Sequence, residues 1–232
     1  AGHGPERLAA LAERGIRTFA DDADMLAEGP DAVILAVKPQ VLGAVMSQYA
    51  DALAGRLVIA IAAGIPISAI EGALPGARVV RVMANLCVQV LSGASAIAAG
   101  TTATPADVEL AREAFGALGA TAVMREDQLE VEGAVVGTAP AFFALFVDTL
   151  TRAGIRAGLP AAACRELVEA TMRGTAEQLM GTGEHPRAYV EKVTSPGGTT
   201  AAALYELEPL MEEGSYAAVD AALARSAELA NN

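Results

Sequence analysis

The chain has 232 residues, of which 53% are apolar, and it carries a formal net charge of −12 at neutral pH. That length suits one or two domains with a sizeable core. The negative charge argues against a nucleic-acid-binding surface, and the apolar runs look too short to span a membrane. The two cysteines, Cys87 and Cys164, lie far apart and there are only two histidines, so we expect no metal site. Isolated reduced thiols favour a cytoplasmic protein.

The first 126 residues alternate between apolar runs and amphipathic helical segments. Three runs are rich in β-branched residues and predict strands buried on both faces, as in a parallel sheet: Asp31–Val37, Leu57–Ile61 and Arg78–Val82. Further strands are predicted at 15–19, 94–99 and 120–124, with helices between them. The alternation predicts a doubly wound, Rossmann-like α/β domain over residues 1–126.

The ends of the three buried strands carry small or polar residues. They are the tripeptides Val37-Lys38-Pro39, Ala62-Ala63-Gly64 and Met83-Ala84-Asn85. Ligands of doubly wound sheets bind at the carboxyl ends of the strands. Small side chains there allow a cofactor to lie close to the main chain, so these tripeptides predict a cofactor edge.

Residues 127–232 contain helical patterns only. The segment Leu129–Ala153 is apolar on nearly every face, with interruptions at Gly137 and Pro140. Further helices are predicted over 160–182, from the loop at Pro196, and from about 215 to 229. A single chain could not easily bury the apolar faces of the helix at Leu129–Ala153. We therefore predict a helical domain that interlocks with a second copy of the chain.

The segment Val193–Thr200 predicts a loop that leads into a helix. Ser195 is suited to cap that helix, with Pro196 in its first helical position. The two glycines that follow carry no Cβ, so a ligand can approach the main chain, and the free N–H groups with the threonine hydroxyls favour a bound carboxylate. On this segment alone, an ordinary loop and helix cap is the simpler interpretation. The predicted ligand contacts are Ser195, Gly197, Gly198, Thr199 and Thr200.

Five motifs together resemble the pyrroline-5-carboxylate reductase family, nearly from end to end of the chain. In order, they are Ala36–Gln40, Ile61–Ile65, Arg81–Asn85, Gly137–Ala141 and Val193–Thr200. The resemblance implies that a nicotinamide cofactor passes hydride to the C=N carbon of 1-pyrroline-5-carboxylate, a small cyclic imine, and so forms L-proline. It also implies a homodimer or a higher homo-oligomer.

The resemblance implies a role for individual residues as well. Thr200 matches the family threonine whose hydroxyl lies near the imine nitrogen, which makes it the catalytic candidate. The loop before it is implied to hold the substrate carboxylate. The cofactor-side positions are matched by Val37, Lys38, Pro39, Ala63 and Asn85. The implied cofactor is NADPH or NADH. The family resemblance favours NADPH, and the loop that selects between the two cofactors falls at His3.

Three departures from the family pattern bear on function. Pro5–Leu8 matches the segment that follows the family's second strand, so we expect that the chain as given lacks the first βαβ unit with its Gly-x-Gly-x-x-Gly turn. Two substrate-side loops, at 84–87 and 136–140, are more apolar than usual. The altered loops favour a related reductase acting on another cyclic imine, and the absent fingerprint favours a non-catalytic paralogue. The complete Val193–Thr200 segment argues against the paralogue.

Overall fold

A computed structural model describes residues 4–230, so His3 lies outside the described residues. The chain forms two compact units, residues 4–137 together with 225–230, and residues 138–224. The first unit contains α1 (Pro5–Glu13), α2 (Asp22–Ala27), β1 (Ala32–Leu35), α3 (Pro39–Leu53), β2 (Leu57–Ala60), α4 (Ile67–Ala73), β3 (Arg78–Ala84), a 3₁₀ turn (Leu86–Val90), β4 (Gly93–Ala99), α5 (Pro105–Gly116), β5 (Gly119–Val123), α6 (Glu126–Glu132) and a π turn (Gly133–Gly137).

The second unit is entirely helical. It contains α7 (Ala139–Arg156), α8 (Ala161–Thr182), α9 (Pro186–Lys192) and most of α10 (Thr199–Ala230). The last residues of α10, from 225 onward, belong to the first unit.

The sheet of the first unit has helices on both faces, as the sequence predicts. Its strand order is β1-β2-β3-β4-β5. Along β2, Val58 and Ala60 join a core cluster with α3, α4 and α6, whereas Leu57 and Ile59 join a second cluster with α5. Because every residue of β2 is buried, its sequence shows an apolar run rather than an alternation.

The sheet contains both parallel and antiparallel strands, whereas the sequence predicts a parallel sheet. Strands β1, β2 and β3 are mutually parallel, but β4 runs antiparallel to β3, with Val82 opposite Ile97. A parallel neighbour needs a crossover of a dozen or more residues. Residues 85–92 between these strands hold only a 3₁₀ turn, so the chain must turn straight back.

Two secondary-structure predictions were wrong, and one helix was missed. Residues 16–19 form no strand in the described chain, and Ile16 is exposed, so no core supports one. The two helices predicted in the last third are one, α10, which continues through Pro209. The short helix α9 was missed; it is capped by His185, whose Nδ1 accepts a hydrogen bond from Arg187 N at 3.2 Å.

The expectation of no span-length apolar segment was also wrong. Among the described residues, one helical stretch, Glu126–Arg156, is long and apolar enough to cross a membrane by length and composition alone, with a mean hydropathy of 1.6. The sequence reading had broken this stretch at Gly137 and Pro140, but the π turn carries the helical path through it. Only 6% of its most apolar window is buried, so a large apolar surface is uncovered in the single chain.

Candidate active site

The predicted cofactor-side residues converge on one edge of the sheet. Leu35 pairs with Ala60, and Ala60 pairs with Arg81, so β1 and β2 end side by side while β3 continues in the same direction to Ala84. The residues that follow these ends form what we call the strand-end edge. It carries Val37, Lys38, Pro39, Ala63 and Asn85. Lys38, Pro39 and Ala63 are exposed there, while the other two are half-buried.

The strand-end edge fits part of a dinucleotide. Lys38, the exposed N-cap residue of α3, brings a positive charge to the start of this helix, where Pro39 has no N–H and Val41 N donates to Lys38 O, which leaves the amide of Gln40. Such an arrangement suits an anion. Gly64, with φ of 74°, has nothing within 4 Å of a would-be Cβ, which leaves the main chain after Ala63 open to a ligand. Within residues 4–230, none of these three strand ends carries a Gly-x-Gly-x-x-Gly turn.

The Val193–Thr200 segment forms a tight turn before α10. Gly198 N donates to Ser195 O at 2.9 Å, and Gly197 has φ of 70°. Proline second and a left-handed glycine third are the signature of a type II turn. Pro196 therefore lies in this turn, not at the first helical position as predicted, and α10 begins at Thr199. The proline's fixed φ suits the second turn position equally well, which is why sequence alone misplaced it.

The two glycines of this turn have different roles. A Cβ on Gly197 would meet open space, so a ligand can approach there, as predicted. A Cβ on Gly198 would overlap Ser195 Oγ. At Gly198 the missing side chain thus makes room for the Ser195 hydroxyl and not directly for a ligand.

The start of α10 offers free amide groups. The first helical bond runs from Ala202 N to Gly198 O at 3.2 Å. The amides of Thr199, Thr200 and Ala201 therefore precede the helical bonding pattern, as in any first turn. Thr200 is half-buried and Thr199 is exposed. These amides and hydroxyls are chemically suited to a carboxylate.

A large apolar groove separates α7 and α8 in the second unit. Its volume is about 510 Å³, and it is lined by apolar side chains that include Phe143, Phe146, Leu150 and Leu167. Phe143 and Leu167 are 59% and 63% exposed in the single chain.

Comparisons with known proteins agree on one family. Residues 126–229 match a model of pyrroline-5-carboxylate reductase dimerisation, and residues 1–64 match a model of coenzyme F420-dependent NADP oxidoreductases. The chain is 38% identical to the pyrroline-5-carboxylate reductase of Methanosarcina acetivorans over 94% of this chain and 80% of that protein. The chain belongs to the pyrroline-5-carboxylate reductase family.

Further relatives and solved structures support the assignment. The Escherichia coli reductase is 31% identical over 97% of this chain and 83% of its own length. The structure of the Coxiella burnetii reductase matches with a TM-score of 0.93 and 32% identity, covering 97% of this chain and 86% of that one. The Plasmodium falciparum reductase, solved with NADP bound, matches with a TM-score of 0.79 and 27% identity, covering 89% and 79%.

These findings confirm the predicted class and reaction. The protein is an NAD(P)H-dependent oxidoreductase that reduces 1-pyrroline-5-carboxylate to L-proline. A Rossmann-like domain followed by a helical dimerisation domain is confirmed as well. The dimerisation match begins at residue 126, whereas the compact units divide after Gly137. We propose that the two domains of the reductase comprise residues 1–126 and 127–232.

Sequence reasoning missed a cluster of charged residues in the reductase. Arg81 is only 3% exposed, and its guanidinium lies 2.7 Å from Glu130 Oε1 and 3.5 Å from Glu126 Oε1. Burial acts to raise the pKa of Glu130, but hydrogen bonds from Arg81 and Ser226 outweigh it and lower that pKa. An arginine inside the apolar run 78–82 was the available signal, because a buried guanidinium requires carboxylate partners.

A second missed group is Glu132, the last residue of α6. It is half-buried, and its Oε2 finds no hydrogen-bond partner within the described part of the chain. Burial raises its pKa from 4.5 to about 6. Between those two values the folded protein keeps a proton that the unfolded chain releases, so stability falls as the pH rises through this window.

Glu132→Gln is therefore expected to remove this pH dependence and to stabilise the reductase at neutral pH. One pKa unit corresponds to about 1.4 kcal/mol, and solvent screening of a half-buried group reduces the effect, so we expect a gain of about 1 kcal/mol at pH 7. Urea unfolding at pH 4.5 and pH 7 would measure it, with Glu113→Gln on an exposed face of α5 as the control. An equal loss of stability at both pH values would contradict the burial argument.

Proposed function

We propose that the turn before α10 binds the carboxylate of 1-pyrroline-5-carboxylate. The observation that carries the proposal is the type II turn at Pro196, which leads directly into the free amides of Thr199 and Thr200. On a protein with a net charge of −12, an anionic substrate needs a local source of positive potential. First-turn amides provide it at fixed positions. The substrate contacts are Ser195, Gly197, Gly198, Thr199 and Thr200.

Thr200 is the catalytic group in this proposal. When bound, the nicotinamide cofactor supplies the hydride that reduces the C=N carbon. The protein needs to orient the ring and to stabilise the nitrogen as it changes from an imine to an amine. A hydroxyl can donate to or accept from that nitrogen, and its half-buried position limits competition from water. A protonated imine needs no strong acid, so a hydroxyl and an ordered water suffice.

The strand-end edge holds the cofactor in this proposal. Lys38 with the amide of Gln40 would bind an anionic part of the dinucleotide, and the open main chain at Gly64, next to Ala63, would lie against it. Val37 and Pro39 complete the proposed cofactor contacts, and Asn85 follows the end of β3 at the same edge. This assignment is independent of the choice between NADPH and NADH.

We also propose that the reductase is a cytoplasmic homodimer or higher homo-oligomer. The uncovered apolar surface of Glu126–Arg156 and the groove between α7 and α8 need a cover, and the dimerisation match spans both. A second copy of the chain provides that cover without a membrane. The two cysteines are free thiols, in keeping with a reducing compartment.

The Gly198→Ala variant tests whether the turn before α10 binds the substrate carboxylate. Its Cβ would overlap Ser195 Oγ and lie 3.1 Å from Ser195 O, so the Ser195 hydroxyl must leave its position, and its proposed contact with the carboxylate is lost. A hydrogen bond to a charged group contributes about 1.5–3 kcal/mol, so kcat/KM for 1-pyrroline-5-carboxylate should fall by at least about tenfold. The reduction of 1-pyrroline, which lacks the carboxylate, should change far less.

The control is Gly174→Ala, in α8, where the added Cβ meets nothing within 4 Å. It should leave both substrates unaffected. An equal loss for the two substrates with Gly198→Ala would show that the turn does not recognise the carboxylate.

A further inference from the structure

Three residues along β3 and just beyond it face α6 and the π turn that follows α6. Arg81, Met83 and Asn85 occupy alternate positions, which lie on one face of a strand. Arg81 contacts α6 through its two carboxylate partners. Met83 packs beside the start of the π turn, since a Cβ on Gly133 would lie 3.1 Å from Met83 Cε. Arg81 therefore holds α6 against the sheet, and Met83 contacts the start of the π turn.

Asn85 makes the last contact of this row. Its Nδ2 donates to the carbonyl oxygen of Val136, within the π turn, at 3.4 Å. Its Oδ1 accepts from Cys87 N and from Ala94 N, each at 3.2 Å. One side chain therefore joins the end of β3, the start of β4 and the π turn.

The hydrogen-bonding capacity of Asn85 is largely used within the protein. A primary amide has two acceptor sites and two donors, and three of these four are occupied. A group that binds a ligand directly needs free capacity directed at that ligand. Asn85 has one N–H left, whereas Lys38 is exposed and the main chain at Gly64 is open to a ligand.

We propose that Asn85 is a positioning residue that fixes the π turn at the strand-end edge, and is not a direct cofactor ligand. π turns are rare and frequently occur at functional sites. Here the π turn lies beside the carboxyl end of β3, where ligands of such sheets bind. The catalytic consequence rests on the proposed cofactor position at this edge, but the link between Asn85 and the turn does not.

Asn85→Asp isolates the donor bond to the π turn. The carboxylate keeps both acceptor contacts, with Cys87 N and Ala94 N, but loses the N–H and repels the Val136 carbonyl. We expect amide hydrogen exchange over 133–137 to accelerate by about three- to tenfold, in line with the loss of one hydrogen bond. In the protein expressed from its complete reading frame, kcat should fall roughly tenfold through misplacement, while the NADPH dissociation constant changes less than about threefold.

Two further variants complete the test. Gln89→Glu makes the same amide-to-carboxylate change at an exposed position of the neighbouring 3₁₀ turn, and should leave exchange, kcat and NADPH affinity unchanged. Asn85→Ala removes the same donor bond to Val136 O without adding a charge, and should reproduce the faster exchange and lower kcat with unaltered NADPH affinity. It also serves if Asn85→Asp fails to fold.

The outcomes separate the possible roles of Asn85. Unchanged exchange over 133–137 in a folded Asn85→Asp protein would overturn the proposal, whatever the activity. So would faster exchange with an unchanged kcat. A tenfold weaker NADPH affinity without faster exchange would make Asn85 a cofactor ligand. Failure of the proposed cofactor position would instead appear as normal NADPH binding after Lys38→Glu, with the exchange result intact.

Discussion

Replacing Thr200 with alanine is expected to lower kcat/KM for 1-pyrroline-5-carboxylate by roughly ten- to a hundredfold. The hydroxyl bond to the ring nitrogen strengthens as the imine becomes an amine, and such a bond is worth about 1–3 kcal/mol. NADPH affinity should barely change, because the proposed cofactor residues lie at the strand-end edge. Steady-state rates at several substrate concentrations, with NADPH titration by fluorescence, measure both quantities.

The control for this variant is Ser215→Ala, which removes an exposed hydroxyl farther along the same helix. Its rates should equal those of the unaltered protein. A melting curve of each variant separates catalysis from folding. If Thr200→Ala lowered the melting temperature and left kcat/KM unchanged, Thr200 would be a first-turn helix residue with a structural role only.

Phe143→Asp is expected to dissociate the oligomer. The ring lies at the groove between α7 and α8 and is 59% exposed in the single chain, so a second copy must bury it if the proposal is right. An unpaired carboxylate at that position would lose its hydration on association, at a cost of several kcal/mol. The dimer dissociation constant should rise at least about a hundredfold. Sedimentation velocity over a range of concentrations would show it.

Arg152→Glu, on the charged face of the same helix, is the matched control. Arg152 is 68% exposed and pairs only with Asp148 one turn earlier among the ion pairs of the described residues. This variant should remain associated. A stable monomer of the unaltered protein at micromolar concentration, or an intact dimer of Phe143→Asp, would contradict the proposed interface.

Most of the first unit could be predicted because its buried strands are distinctive in sequence. The runs that contain Val58, Ile59, Val79 and Val80 are short and β-branched, and each begins soon after a glycine, which few helices combine. The direction of β4 could not be predicted in the same way. It depends on the length of the connection after Asn85, and the 3₁₀ turn there has no strong sequence signal.

The last helices show where local rules fail. Pro209 is expected to end a helix, but it removes a single main-chain bond, and the rest of α10 continues on both sides. At Pro196 the opposite happened: the rule for a helix start was reasonable, but the left-handed Gly197 made a turn instead. At both prolines the sequence rule describes a local conformational preference, and the contacts of the surrounding chain determine whether the helix ends or begins there.

The candidate site was predicted in part. The strand-end residues follow from the topology, since parallel strands in order must end at one edge. The row of Arg81, Met83 and Asn85 could not be found, because its partners lie some fifty residues later in the chain, at distances along the sequence that no short motif records. Glu132 was missed because nothing in sequence separates a buried glutamate from an exposed one on a helix.

The central claim is that this chain reduces 1-pyrroline-5-carboxylate to L-proline with NAD(P)H. The direct measurement uses the protein expressed from its complete reading frame, with each reduced cofactor and a panel of cyclic imines. We expect one L-proline formed for each NAD(P)H oxidised, and the highest kcat/KM for 1-pyrroline-5-carboxylate. Folded protein that oxidises neither cofactor with this substrate, or that clearly prefers another cyclic imine, would contradict the account.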